Sequence, residues 1–208
     1  MIDTVIDIYH ADTIDLAQVK QRDGIIAVIH KATQGAHYID PDYTSRKKIA
    51  KDVGLLWGAY HFGTADRVEA QVAAFFSTAD VDKDVLVALD FEEDPHGPNM
   101  TIDQARDFVE LVREKIGRFP VIYGANRLRE SLGSIVDPLL KNCPLWYARF
   151  REVPIGIPPT FKDFTLHQFT DGQFGPQPHE TGGHPCDRNR FKGTEAELKQ
   201  QWPFGTVV

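Results

Sequence analysis

The stretch VLVALDFEED, Val85 to Asp94, runs five apolar residues into Asp90, Glu92, Glu93 and Asp94. A buried strand ordinarily stops at a turn of Gly, Asn or Pro, so one that stops in four acids asks for a chemical reason. Residues i and i+2 of a strand share a face, roughly 7 Å apart at Cα. Asp90 and Glu92 therefore aim together, and Phe91 and Glu93 do not. Asp7 ends the first apolar run, TVIDIY, in the same way, and Asp187 lies in a late one, CDRNRF. Clustered carboxyls oppose one another's ionisation, so at least one keeps a proton near neutral pH. A neutral acid beside ionised ones is the equipment of glycoside cleavage: it donates to the leaving oxygen while a partner supports the oxocarbenium-like charge. The same region read as Asp7, His61, Asp90 and His167 would make a hard-ligand metal site. The balance of chemistry favours the glycosidase, which needs no cofactor and no metal.

Residues so far apart in sequence need a scaffold that gathers them. Short β-rich runs occur at 4–9, 25–32, 55–62, 85–92, 119–124, 144–150 and 164–169, with a last one near 186–191. Helical patterns over 14–22, 41–53, 66–79, 101–117 and 126–141 alternate with them. The clearest is 101–117, where Thr101 can cap and Ala105, Phe108, Val109, Val112 and Ile116 share a face. Alternating strand and helix argues a parallel sheet. Loops replace helices at 151–163 and 171–186, which predicts an α/β fold built as one irregular TIM-like barrel over residues 1–208, with fewer helices in its C-terminal part. Polar and aromatic residues gather at the ends of the strands: Asp7, Tyr9 and His10, then His30 and Lys31, Tyr60 and His61, Asp90 and Glu92. Tyr123 and Asn126, Tyr147 and Arg149, and His167 and Gln168 follow. In parallel α/β folds that end holds the active site.

Composition narrows the partners. A net charge of −7 with no Lys/Arg run of four argues against nucleic acid and against simple adhesion to anionic surfaces. No stretch is long and apolar enough to span a membrane, and the opening MIDTVIDIYHADTID lacks the basic start and apolar core of a secretory signal. Two cysteines, Cys143 and Cys186, are too few for a disulfide scaffold and read as reduced thiols. His179, His184 and Cys186 match no standard zinc spacing, so 171–187 reads as a Gly/Pro-rich surface loop. Trp57, inside an apolar run, reads as core, whereas the strand of Trp146 reaches the mouth.

The motifs DIYH, HKATQG with YIDPDY, GAYHFG, ALDFEE, IYGAN, LWYARF, LHQFTDG and CDRNRF occur in that order. Together they resemble glycoside hydrolase family 25, the barrel-fold lysozymes that cut peptidoglycan between N-acetylmuramic acid and N-acetylglucosamine. The resemblance runs from Val5 to Phe191, and the ordered set is far more specific than any one motif. It implies Glu92 as general acid/base, Asp90 as the stabilising carboxylate, and Asp7 and Asp187 as further catalytic acids. It also implies that Tyr60, His61, Tyr123, Tyr147 and Gln168 contact the sugar, that the reaction retains configuration, and that no cofactor takes part. Bacterial peptidoglycan strands would be the partner, with any immunity or delivery protein beyond what the residues convey. The action would be on the cell wall after phage-type release or specialised secretion. Departures from the family pattern are Tyr9-His10 in the opening motif, Arg149 in WYARF, and Cys186 and Arg188 around the fourth acid.

Overall fold

Runs of Val, Ile, Leu and Ala with a period of two become strands here, and the amphipathic segments between them carry the chain back for the next. The protein, seen in a computed structural model, is described over residues 1–205. Its first half comprises β1 (Ile2–Ile8), α1 (Val19–Arg22), β2 (Ala27–Gln34), β3 (Tyr38–Ile39), α2 (Tyr43–Asp52), β4 (Leu56–Phe62), α3 (Val68–Ala79) and β5 (Leu86–Asp90). The second half comprises α4 (Ile102–Ile116), β6 (Val121–Gly124), α5 (Asn126–Leu132), β7 (Leu145–Ala148) and β8 (Leu166–Asp171). A small hairpin of β9 (Glu180–Thr181) and β10 (His184–Pro185) precedes β11 (Asp187–Phe191) and α6 (Glu195–Gln201).

Seven strands run parallel in the order β1, β2, β4, β5, β6, β7, β8. The barrel is closed by β11, which lies antiparallel between β8 and β1 and sets Asp187 opposite both Asp171 and Asp7. The expected irregular barrel is therefore the observed one: eight strands, the last reversed, and no α-helix between β7 and β8.

Two packed layers hold it. Val5, Ala27, Ile29, Leu86, Ala88 and Val121 fill the barrel interior, while Val28, Val87, Leu89 and Ile122 face outward onto Phe75, Phe108 and Val112 of the helices. The interior is tight. A Cβ on Gly58 would stand 3.1 Å and 3.2 Å from side-chain carbons of Ile29 and 3.3 Å from Leu86 Cβ, closer than ordinary packing allows. With the barrel filled, a ligand can enter only at the mouth, where the strands end in polar residues.

Helix α4 begins and ends where its sequence directs. Thr101 and Gln104 form a capping box, and Gly117 closes the helix in the left-handed conformation at φ 69°. Two expected helices are shorter than their patterns. The segment 14–22 contains a single turn, α1, and 126–141 breaks after Leu132 because Gly133 turns to φ 54°. A 3-10 turn at Leu140–Asn142 is all that continues it. Cys143 and Cys186 are both buried and unbridged.

A bulge in β2 sets the side chains around the mouth. Lys31 pairs with Tyr60 and Thr33 with His61, so Ala32 is the extra residue. Lys31 follows Ala27 and Ile29 on the inner face. The bulge then turns Thr33 outward beside His61 and returns Gln34 inward, where its Oε1 accepts from Lys31 Nζ at 2.6 Å.

Candidate active site

Asp7, Asp90 and Glu92 come together with Asp187, as their strand ends require, in a small cavity at the mouth of about 70 Å³ that Tyr60, Tyr123 and Trp146 complete. Open grooves lead off on both sides. One runs past Asp7, Tyr60 and Asp187 to Tyr9, Asp12 and Asp171, and the other runs past Glu92 to Asn126, Arg127 and Glu130. A larger hollow of about 700 Å³ opens at the other end of the barrel, but Asp163 is its one carboxylate among the described residues. Size does not locate the chemistry here; the acids do.

A hydrogen-bond network fixes the floor. Gln168 Nε2 donates to both oxygens of Asp7 at 3.0 Å and reaches Asp187 Oδ2 at 3.3 Å. Its Oε1 accepts from the Tyr123 hydroxyl at 2.9 Å. Asn189 Nδ2 donates to Asp7 Oδ1 at 2.7 Å, while its Oδ1 accepts from the Trp146 indole at 2.6 Å. Asp7 therefore accepts from two amides, and both amides are held in turn by an aromatic donor. Donated hydrogen bonds favour the ionised form of Asp7, whereas burial opposes it, and its carboxyl stands moderately above the usual range. Asp187 is driven up much further by burial and by the charge of Asp7 beside it, so Asp187 is the member of this pair that keeps the proton.

Asp90 is almost fully buried, at 6 % exposure, and its Oδ1 has no hydrogen-bond partner among the described residues. Burial and then the neighbouring Glu92 push its carboxyl up, and Lys31 pulls it down. Glu92 is raised to about 7 by burial and by Asp7, against a hydrogen bond from Tyr123. Asp90 and Glu92 thus behave as a pair that gives up one proton readily and resists losing the second. An unpartnered acceptor beside an acid that is still protonated near neutrality is the arrangement for donating to a leaving oxygen.

Two residues expected at the sugar contacts lie elsewhere. His61 points outward, buried between helix and barrel; it bonds Thr33 Oγ1 at 2.7 Å and Gln71 Oε1 at 3.0 Å and stacks on Phe108. Burial holds it neutral, its pKa drawn down to about 4. Tyr147 also faces outward, its hydroxyl donating to Gly156 O at 2.7 Å. The physical reason is the same for both: Tyr60 and Trp146, their immediate neighbours, take the inward positions, and consecutive strand residues cannot share a face. His167 likewise points away, bonding Arg149 O at 2.6 Å. The grouping of Asp7, Asp90, His61 and His167 as metal ligands is therefore not assembled. Gln168 does reach the mouth, but its amide is engaged with Asp7 and Tyr123.

Trp146, Asn189 and Lys31 are additional residues at or beside the mouth. Inward parity with Gln168 and Asp187 would have revealed Asn189, and parity with Ile29 would have revealed Lys31. Arg188, next to Asp187, faces away and pairs with Asp3 at 3.1 Å. Arg149 lies at the rim, donating to Asn126 Oδ1 at 3.0 Å.

Comparison with known proteins agrees with this fold. The family model described as "Glycosyl hydrolases family 25" matches residues 6–176. The chain belongs to glycosyl hydrolase family 25. Among solved structures, a muramidase from Trichobolus zukalii superposes with a TM-score of 0.81 at 26% identity, covering 96% of this chain and 97% of that one. A lysozyme from Streptomyces coelicolor gives 0.80 at 27% identity, covering 95% of each. Lysozyme M1 of Streptomyces globisporus is 26% identical over 208 residues, 93% of this chain and 69% of its own length. The chain spans about 60% of the length of the Escherichia coli relatives it matches at 27% identity.

Proposed function

We propose that this protein is a peptidoglycan muramidase, cleaving the β-1,4 bond between N-acetylmuramic acid and N-acetylglucosamine with retention of configuration. The observation that carries the reading is the mouth cavity itself, where Glu92, raised to about 7, faces the same space as the unpartnered Oδ1 of Asp90. Membership of family 25 and the muramidase and lysozyme names of its relatives support the substrate.

In this reading the chain supplies the acid and the stabilising carboxylate, and the substrate supplies the nucleophile. Glu92 gives its proton to the glycosidic oxygen as the bond from that oxygen to C1 breaks. The carbonyl oxygen of the sugar's 2-acetamido group closes onto C1, and Asp90 accepts the amide N–H and offsets the positive charge that forms. Water then attacks C1 from the face the leaving sugar vacated, losing its proton to Glu92, and the ring opens back to the acetamide. The Tyr123 hydroxyl has one proton and two neighbouring acceptors. It can bond Gln168 while Glu92 is neutral and turn to Glu92 once the carboxylate forms. Asp7, held ionised by its two amide donors, and Asp187, which keeps its proton, form the floor beneath the sugar.

The test is digestion of purified peptidoglycan by the wild type and by Glu92→Gln, with mass analysis of the fragments. Reducing N-acetylmuramic acid ends from the wild type alone are expected; ends in N-acetylglucosamine, or equal release by both proteins, would sink the reading. Action on the wall also predicts lysis when the protein is directed to the bacterial periplasm and none when it is kept in the cytoplasm.

A further inference from the structure

Lys31 is a half-buried cation on the inner face at the mouth, and nothing assigned so far uses it. Its Nζ has one hydrogen-bond partner, Gln34 Oε1, and no ion pair among the described residues. The ammonium is held over the ring of Phe62, 4.9 Å from its centroid, and that of Tyr38, 5.5 Å away. Phe62 is the register partner of Asp90, so Lys31 stands on the barrel wall just beside the acid with the unpartnered oxygen. Asp90, Asp40 and Asp94 are the charges it feels most. The β2 bulge keeps it in place, since without Ala32 as the extra residue Gln34 would not return to the inner face. An ammonium with three donors, one used, fixed by an amide and two rings, is a preformed receptor for an oxygen acceptor.

We propose that Lys31 is a specificity-determining residue that receives the lactyl group on C3 of the muramic acid in the reacting position. The inference rests on the proposed muramidase reaction. There Asp90 takes the amide N–H on C2. The substituent on the adjacent ring carbon then projects along the wall next to Asp90, and on that wall stands Lys31. The lactyl group offers a carboxylate when free and a carbonyl oxygen when it carries a peptide, and Nζ can donate to either. N-acetylglucosamine has only a hydroxyl at C3. It would leave the ammonium without its charge-assisted partner, which gives the site a reason to prefer muramic acid in this position.

The experiment uses the full chain carrying Glu92→Gln, so that ligands survive. Binding of a GlcNAc–MurNAc tetrasaccharide with free lactyl carboxylates is compared with binding of chitotetraose, with and without Lys31→Met. The expected result is a loss of about tenfold or more on the muramyl ligand, with less than a twofold change on chitotetraose. Lys31→Arg, which keeps the charge, should recover part of the muramyl affinity. Equal losses on both ligands would overturn the proposal and reassign Lys31 to the field around Asp90. Unchanged affinity for both would overturn it as well. Failure of the parent reading shows separately, as the absence of reducing muramic acid ends from wild-type digests.

Discussion

Gln168 Nε2 lies 3.0 Å from each carboxylate oxygen of Asp7, and its Oε1 accepts the hydroxyl of Tyr123. One side chain on β8 thus ties the acid of β1 to the tyrosine that also reaches Glu92. Replacing it by leucine leaves Asp7 with one amide donor and Tyr123 with Glu92 alone to donate to. We expect Gln168→Leu to fold and to lose about 10- to 100-fold in kcat, the range typical of residues that orient catalytic groups. Steady-state kinetics on soluble glycan fragments measures this; an unchanged kcat would show the bridge to be incidental.

The pH dependence follows from Glu92. Its proton must be present for the first step while Asp90 is ionised, so kcat/KM should be bell-shaped: it should fall about tenfold per pH unit above roughly 7, and fall again in acid as Asp90 also takes a proton. The charge of Asp7 is one of the causes holding Glu92 up. In Asp7→Asn the residual activity should therefore turn down at a lower pH than in the wild type. A limb that stays put or moves upward would break the assignment of Glu92 as the acid.

The same shift has a cost in stability. A carboxyl raised from 4.5 to about 7 on folding favours the native state while it is neutral. That contribution is complete below about pH 4.5 and is lost as the pH rises through about 7. Glu92→Gln should therefore melt higher than the wild type at pH 8, by on the order of 1–3 kcal/mol, and the gap should close at pH 4. Calorimetry at both values reads it directly, and a gap independent of pH would point to packing instead.

His61 gives the opposite expectation. Enclosed by Thr33, Gln71 and Phe108, it is core rather than sugar contact. His61→Ala should cost about 2–4 kcal/mol of stability. In the cold, where the variant stays folded, KM for glycan fragments should match the wild type. A raised KM would return His61 to the groove.

The apolar runs made the strands readable and the 3.6-residue spacing made three of the helices so, and the carboxylates expected at strand ends do meet at one mouth. The errors arose where a strand offers two polar or aromatic neighbours. Tyr60-His61 and Trp146-Tyr147 each present one residue to either side of the wall, and type alone does not choose between them. The apolar parity further down the strand does: Leu56 and Gly58 carry Tyr60 inward, and Leu166 carries Gln168. Lys31 follows Ile29 in parity, but the inward return of its partner Gln34 depends on a bulge at Ala32 that no local residue announces. The helix expected over 126–141 failed at Gly133, whose left-handed backbone the apolar periodicity does not register. The Gln168 and Asn189 bridges join β8 and β11 to β1, contacts that sequence proximity cannot suggest.

The reversed strand β11 has a bearing on how the molecule is made. Asp7 leaves the ribosome some 180 residues before its register partner Asp187. Until β11 emerges, a nascent chain has seven parallel strands with raw edges at β1 and β8, and the acid pair on the floor has one member. Pairing of such distant segments is slow, and open edges invite other chains. One late step therefore closes the barrel and completes its chemistry, so an unfinished chain is inert, and a chain cut short of Asp187 should be both inactive and prone to clump.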